Sequence, residues 1–216
     1  MLDNNQTTLP EQNQEIKDEN QNKPVRGKLW PYILLAAVLL AVSLIIGLLV
    51  PSELASSTLE ELKITLGPLT ESANPLILLI IIFLNNAIKS LGAIVLGILL
   101  GIPPFFFLVA NGFMVGVIAT ALKSSLGWGI IAASLAPHGI IEIPALVLSS
   151  ALGLKIGWES LKYLTRRKSS VKAQLRHSIR VYLKWIIIGL LVAAIIEVFV
   201  TPLFVLMVGG EELFIK

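Results

Sequence analysis

Four ionisable side chains lie deep within apolar stretches of this sequence, where such groups are costly and therefore informative. They are Lys89, His138, Glu142 and Glu197. A cation that faces a carboxylate in lipid keeps it ionised, and a histidine at such a depth can relay protons or bind an ion or headgroup. We expect Lys89 to face the bundle and to pair with Glu142 or Glu197.

The spacing of these groups places them in pairs on shared helix faces. Asn85 and Lys89 are four residues apart with Asn86 beside them, His138 and Glu142 are also four apart, and Thr201 follows Glu197 by one turn. The alternative is that such side chains only hold membrane helices together. For the asparagines alone we favour that alternative, whereas four ionisable groups at one depth favour a functional cluster.

The elements that must position these residues follow from composition. Of 216 residues, 55% are hydrophobic and 14% are charged, against about 25% charged in soluble domains. Apolar runs of about 20 residues match a hydrocarbon core of about 30 Å. The sequence therefore predicts an all-α, polytopic membrane bundle with helices at about residues 31–50, 75–100, 105–122, 128–157 and 185–208.

The fourth predicted helix contains Pro137-His138-Gly139. Proline removes a backbone donor and glycine weakens a helix, so we expect the helix to be broken there while still crossing the membrane once. A kinked helix with a satisfied histidine is an equally good interpretation of this motif alone.

Charge distribution predicts the orientation of the bundle. Nine basic residues and one acid lie between Lys155 and Lys184, whereas the connection from Glu53 to Asn74 carries four glutamates and one lysine. The positive-inside tendency places the basic segment and the N-terminus in the cytoplasm and the C-terminus on the opposite side of the membrane. Residues 1–28 are polar and predicted to form a disordered cytoplasmic tail, so residues 29–216 form a single transmembrane domain.

The segment 158–182 has apolar residues at helical spacing, separated by basic ones. This pattern predicts an amphipathic helix on anionic lipid headgroups, and an ordinary positive-inside loop is the alternative. Nucleic acid is a disfavoured partner because the basic stripe adjoins the membrane. The predicted lipid contacts are Arg166, Arg167, Lys168, Lys172, Arg176 and Arg180.

Several functional classes lack their residues in this sequence. There is no cysteine, and no zinc-protease, serine-hydrolase or phosphate-loop motif. We therefore expect no enzymatic activity, no metal and no cofactor. Three Gly-x-x-x-Gly pairs, at Gly97, Gly112 and Gly153 with their partners four residues on, predict tight helix packing and suggest a homodimer.

A longer set of residues resembles the stage II sporulation protein M family of prokaryotic integral membrane proteins. The matching strings are Phe83-Leu84-Asn85-Asn86, Asn111-Gly112-Phe113 with Gly116, Pro137-His138-Gly139-Ile140-Ile141-Glu142-Ile143-Pro144-Ala145, Gly153, and Glu197 with Thr201-Pro202.

The resemblance implies a multi-pass protein without an established enzymatic activity. Family members in sporulating bacteria act with cell-wall hydrolases during engulfment, but many relatives do not sporulate. The resemblance adds Asn111 to the polar cluster. The leading hypothesis is a scaffold or assembly partner in a cell-envelope complex. The competing hypothesis is a channel or carrier that moves protons, ions or a lipid headgroup through the cluster.

Overall fold

The structure, a computed structural model, describes residues 27–70 and 74–209, without the side chains of Lys63, residues 65–70, Ser124 and His138. Most of the predicted tail, residues 1–26, lies outside the described residues. No strand occurs within the described ranges, which confirms the all-α prediction. Within the described residues, five helices are long and apolar enough to span a membrane, and we number them as spans one to five: Trp30–Leu48, Pro75–Ile98, Ile102–Lys123, Gly139–Leu164 and Val171–Met207.

The connection between spans one and two is more helical than expected. The sequence suggests a short helix near Leu59–Leu66, whereas the observed helix covers Ser52–Thr70. Its residue Ala55 is buried against Val117 and Ala121 of span three. Packing on a neighbouring span therefore extends this helix beyond its own apolar pattern.

Spans three and four form one long hairpin. The backbone is helical over Ile102–Leu164 except at Gly127, whose φ of 72° and ψ of 162° lie outside the helical region. The chain reverses there, and a residue with a Cβ atom would be strained at this φ.

The predicted break at Pro137-His138-Gly139 is wrong for the backbone, which continues as a helix through Pro137 and Pro144. A proline removes a single helical hydrogen bond, and packing on both sides of a helix can hold it straight enough to continue. The non-helical residue, Gly127, lies instead in the predicted gap between the third and fourth helices, residues 123–127.

The predicted amphipathic helix over residues 158–182 is also wrong as a single element. Trp158–Leu164 completes the helix of span four, residues 165–170 form a turn, and a new helix begins at Val171. Arg166 has a φ of 54° in this turn, which no residue of a continuing helix can adopt. We call this end of the bundle, where residues 98–102 and 164–172 lie, the basic end.

The turn at the basic end is held by Glu159, which is only 3% exposed. Its Oε1 accepts from Lys162 Nζ at 2.7 Å, and its Oε2 accepts from the backbone N of Ser170 at 2.9 Å and from Ser170 Oγ at 3.2 Å. A carboxylate can be buried when several donors satisfy it. Glu159 thus joins the end of span four to the start of span five.

Span five contains two π-helical turns, Tyr182–Ile186 and Ile196–Val200. Pro202 follows the second turn and cannot donate to the ladder, and Thr201 Oγ1 donates to the carbonyl of Ile196 at 3.3 Å. The first turn begins with Tyr182, whose hydroxyl donates to the carbonyl of Ala87 in span two at 3.0 Å. Span five therefore packs beside span two.

Glycine contacts set the register between alternate spans. A Cβ atom on Gly97 would collide with the backbone of Gly153, and one on Gly157 would collide with Gly101. Both contacts join a residue of span two, or of the turn after it, to span four in the same order, so these spans run parallel. Backbones approach this closely only where small residues face each other.

Spans one and three cross in the same manner. Gly112 faces Ser43 and the carbonyl of Leu40, and Gly116 faces Gly47. All three Gly-x-x-x-Gly pairs are therefore used inside the chain. Because these glycines already pack against other spans of the same chain, they are not available as the surface of a homodimer.

We expect Gly153→Ala to destabilise the protein, because the added methyl group meets the backbone carbonyl of Ala93. Overpacking of this kind typically costs about 1–3 kcal/mol. Thermal unfolding of the purified protein in detergent should show a lower midpoint for this variant. Gly92→Ala in span two is the matched control, since a Cβ atom there meets nothing within 4 Å. Equal midpoints for the two variants would contradict the glycine crossing.

Candidate functional site

Four spans contribute to a small polar cavity within the bundle. Its volume is about 20 Å³, enough for about one water molecule. The lining residues are Asn86, Lys89 and Ser90 of span two, Phe107 and Asn111 of span three, Glu142 and Leu146 of span four, and Leu190 of span five. Four predicted cluster residues, Asn86, Lys89, Asn111 and Glu142, therefore meet at one place.

The glycine crossing explains why these residues meet. Asn86 lies eleven residues before Gly97 in span two, and Glu142 lies eleven residues before Gly153 in span four. Because the two helices run parallel from their contact, eleven residues at about 1.5 Å each bring both side chains to the same level, roughly 16 Å from the crossing. The long-range contact near the basic end thus determines the composition of the cavity.

Asn111 enters the cavity from the antiparallel span three. Its Nδ2 donates to the carbonyl of Phe107, one turn earlier, at 2.7 Å. This bond fixes the side-chain amide against its own helix. The amide therefore contributes a fixed polar wall next to Glu142.

Lys89 lines the cavity but is exposed on the outside of the bundle. Lys89 therefore faces the bundle, as expected, and also reaches its outer surface. Asn85, one turn before it, is also exposed, and its Nδ2 donates to Asn86 Oδ1 at 3.3 Å. Asn85 and Lys89 are four residues apart and share a helix face. Span two therefore presents polar groups both to the cavity and to the outside of the bundle.

The remaining cluster residues do not line the cavity. Glu197 is half-buried in the π-helical turn of span five, two turns beyond Leu190 on a straight helix. Thr201 is buried and bonds to its own helix. The side chain of His138 lies outside the described residues, although its backbone is one turn before Glu142.

The predicted lipid-contacting residues surround the basic end. Arg166, Arg167 and Lys168 are exposed on the turn, and Lys172 and Arg180 are exposed on the helix that follows. Arg176 is half-buried on the same helix. Lys184 lies over the Trp185 ring, with Nζ 5.3 Å from its centroid. The cations are therefore distributed over a turn and a helix start.

Sequence reasoning missed a second polar region, which is buried at the basic end. Lys155 Nζ donates to the carbonyl of Gly27 at 2.9 Å, and Gln174 Nε2 donates to Ser178 Oγ at 3.2 Å. The available signal was spacing: Lys155 and Glu159, like Gln174 and Ser178, are four residues apart and so share a helix face. The Lys155 bond joins span four to the residue Gly27 before span one, and the Gln174 bond lies within the first turns of span five.

Comparison with known proteins identifies two relatives and a protein family. The uncharacterized protein MJ0793 of Methanocaldococcus jannaschii is 34% identical over 124 residues, which are 55% of this chain and 68% of that protein. The uncharacterized protein MJ0706 of the same organism is 30% identical over 141 residues, which are 64% of this chain and 60% of that protein. No solved structure matches. A family model described as Stage II sporulation protein M matches residues 36–202. That match includes every residue of the polar cavity and most of the chain, and the chain therefore belongs to the Stage II sporulation protein M family.

Proposed function

We propose that this membrane protein is a scaffold or assembly partner in a cell-envelope complex, and that it binds a partner helix through the exposed polar face of span two. We call this surface the Lys89 face, formed by Asn85 and Lys89 with the exposed apolar residues Ile81, Leu84 and Ile88. The proposal assigns no chemical reaction to the chain.

The observation that carries this proposal is the exposure of Lys89 in the middle of a span. Lys89 lies fourteen residues after Pro75 and nine before Ile98, or roughly 21 Å and 14 Å from the two ends. A lysine at such a depth costs about 2.5–3.5 kcal/mol if it faces acyl chains. A partner helix that covers Lys89 removes this cost, whereas a monomer in lipid does not.

The chemistry of the Lys89 face indicates what the partner carries. An ammonium group at low dielectric is best matched by a carboxylate, and Asn85 offers a second hydrogen-bonding group one turn away. Ile88, which is 66% exposed, adds apolar area between them. We therefore infer a partner transmembrane helix with an acidic residue near its middle, contributed by another protein or by a second copy of this chain.

The proposal also includes the position of the protein in the cell. The basic end lies in the cytoplasm and the helix Ser52–Thr70 lies outside the plasma membrane of a prokaryote, with the N-terminus inside and the C-terminus outside. The excess of lysine and arginine around the basic end supports this orientation.

The second candidate function is a proton path through the polar cavity. Glu142 and Lys89 both have side chains that can exchange a proton, and the cavity has room for one water molecule. A lipid headgroup or a hydrated ion is larger than about 20 Å³ of free space, so the cavity favours protons among the cargoes of a carrier.

The scaffold proposal predicts a specific crosslink at the Lys89 face. With a photoreactive amino acid in place of Ile88, in membranes of the organism that encodes the chain, we expect one discrete adduct. Lys89→Leu should reduce its yield by about tenfold, the effect of about 1.4 kcal/mol, and Lys89→Arg should retain it. Gel mobility and mass spectrometry would measure the adduct and show whether its partner is a second copy.

Val42, which is exposed on span one, is the matched control position for the photoreactive group. Labelling there should not depend on residue 89. If the adducts at residue 88 were diffuse and unchanged in Lys89→Leu, the Lys89 face would contact lipid alone and the scaffold proposal would fail.

The orientation can be measured directly because the chain has no cysteine. Single substitutions Glu53→Cys and Lys168→Cys place one thiol at each end of the bundle, both at exposed positions. We expect a membrane-impermeant maleimide to label intact cells at residue 53 only and to label both variants after permeabilisation. Labelling of residue 168 in intact cells would reverse the proposed orientation.

Liposomes loaded with a pH indicator separate the two functions. Under an imposed membrane potential, the proton path predicts acidification that Glu142→Gln abolishes, because the amide cannot exchange a proton. Glu53→Gln, outside the cavity, is the matched control. The scaffold proposal predicts no acidification above that of empty liposomes for the unsubstituted protein, Glu142→Gln or Glu53→Gln.

A further inference from the structure

A large groove opens at the basic end, separate from the polar cavity and from the Lys89 face. Its volume is about 680 Å³, within the range of about 300–1,000 Å³ typical of clefts that bind small organic molecules. The groove is bounded by the turn after span two, by the end of span four and by the start of span five. Its lining residues are Ile98, Leu99, Leu100, Ile102, Ser160, Tyr163, Leu164, Val171, Lys172 and Leu175.

The position of the groove indicates the chemistry of its occupant. Ile98 ends span two, Ile102 begins span three, Leu164 ends span four and Val171 begins span five. The groove therefore lies at the level where the apolar spans reach the membrane surface. At this level a bilayer presents glycerol esters, with phosphates on one side and acyl chains on the other.

Ser160 provides a polar point within this apolar lining. It is only 7% exposed, and its Oγ has no hydrogen-bond partner among the described residues. Buried hydroxyl groups normally have partners, so an orphan one that lines a groove indicates an absent acceptor or donor. A glycerol ester carbonyl is an acceptor that belongs at this depth.

The charge around the groove selects an anion. Lys172 lines it and is exposed, and three more exposed cations, Arg166, Arg167 and Lys168, lie on the adjoining turn. The acid in this region, Glu159, is buried and accepts from Lys162 and Ser170. The rim therefore presents a positive surface to a headgroup phosphate.

We propose that the groove binds one anionic glycerophospholipid. An acyl chain lies against Leu99, Leu164 and Leu175, an ester carbonyl accepts from Ser160 Oγ, and the headgroup phosphate lies beside Lys172. The site is distinct from a general attraction to acidic membranes because it requires both the orphan hydroxyl and the apolar groove. It does not depend on the scaffold proposal.

The test uses native mass spectrometry of the full chain in detergent, titrated with phosphatidylglycerol or with phosphatidylcholine of the same acyl chains. One phosphatidylglycerol should bind in preference to phosphatidylcholine. Lys172→Ala should weaken phosphatidylglycerol binding about fivefold, the contribution of one basic residue near an anionic surface. Lys168→Ala, which changes a cation outside the groove lining, is the matched control and should retain most of the affinity.

Two further variants test the groove itself. Ser160→Ala should weaken binding of both lipids without lowering thermal stability, because it removes a hydroxyl that has no protein partner. Ser150→Ala is its control, since Ser150 Oγ is also buried without a partner among the described residues but does not line the groove. Leu164→Trp, at a 63% exposed position, should fill the groove and block binding, whereas Leu161→Trp should not.

The outcomes separate the proposal from its alternatives. Equal binding of the two lipids, or losses that are the same in the groove variants and their controls, would mean that lipid surrounds the protein without a site and would overturn the proposal. A second copy of the chain retained in the spectra in place of lipid, and lost in Leu164→Trp, would also overturn it.

Discussion

The contact between the backbones of spans two and four is the constraint on which the rest of this structure depends. Apolar side chains do not drive helices together in lipid, where they are already solvated, so close packing of small residues must do it. Gly97 meets Gly153 and Gly101 meets Gly157, which fixes the spans parallel and in one register. Both Asn86 and Glu142 then lie eleven residues from the contact, and the polar cavity follows from this equality.

Two polar regions of the bundle differ in whether the chain itself supplies hydrogen-bond partners for their side chains. At the basic end, Glu159 receives three hydrogen bonds from Lys162 and Ser170, and it functions as a structural link between spans. At the Lys89 face, exposed polar side chains lie at a depth where water is absent. A satisfied group stabilises the fold, whereas an exposed one in lipid requires something outside the chain. This difference is why we assign partner binding to Lys89 and a structural role to Glu159.

The Lys89 face and the groove both include residues of span two, but they suit different ligands. Ile98, at the edge of the groove, lies nine residues after Lys89, or roughly 14 Å along the helix. The first surface has an isolated cation among apolar side chains and suits a helix that carries an acid. The second has a volume, an orphan hydroxyl and several cations at the membrane surface, and suits a lipid. A scaffold that binds a partner helix at the Lys89 face and a lipid in the groove would hold the two at a fixed distance from each other.

The sequence alone was enough to predict an all-α membrane bundle, its five spans and four residues that line the polar cavity, namely Asn86, Lys89, Asn111 and Glu142. Hydrophobic length and charge asymmetry are local properties, so they can be read without knowing which helices touch. Pro137 and residues 158–182 were misinterpreted because whether a proline interrupts a helix, or a basic stretch continues one, depends on neighbours such as Glu159 and Ser170. The exposure of Lys89, the orphan hydroxyl of Ser160 and the groove were decided by tertiary structure alone. Each depends on the rotation and register of one helix against another, and the glycine contacts that set these join residues more than fifty positions apart.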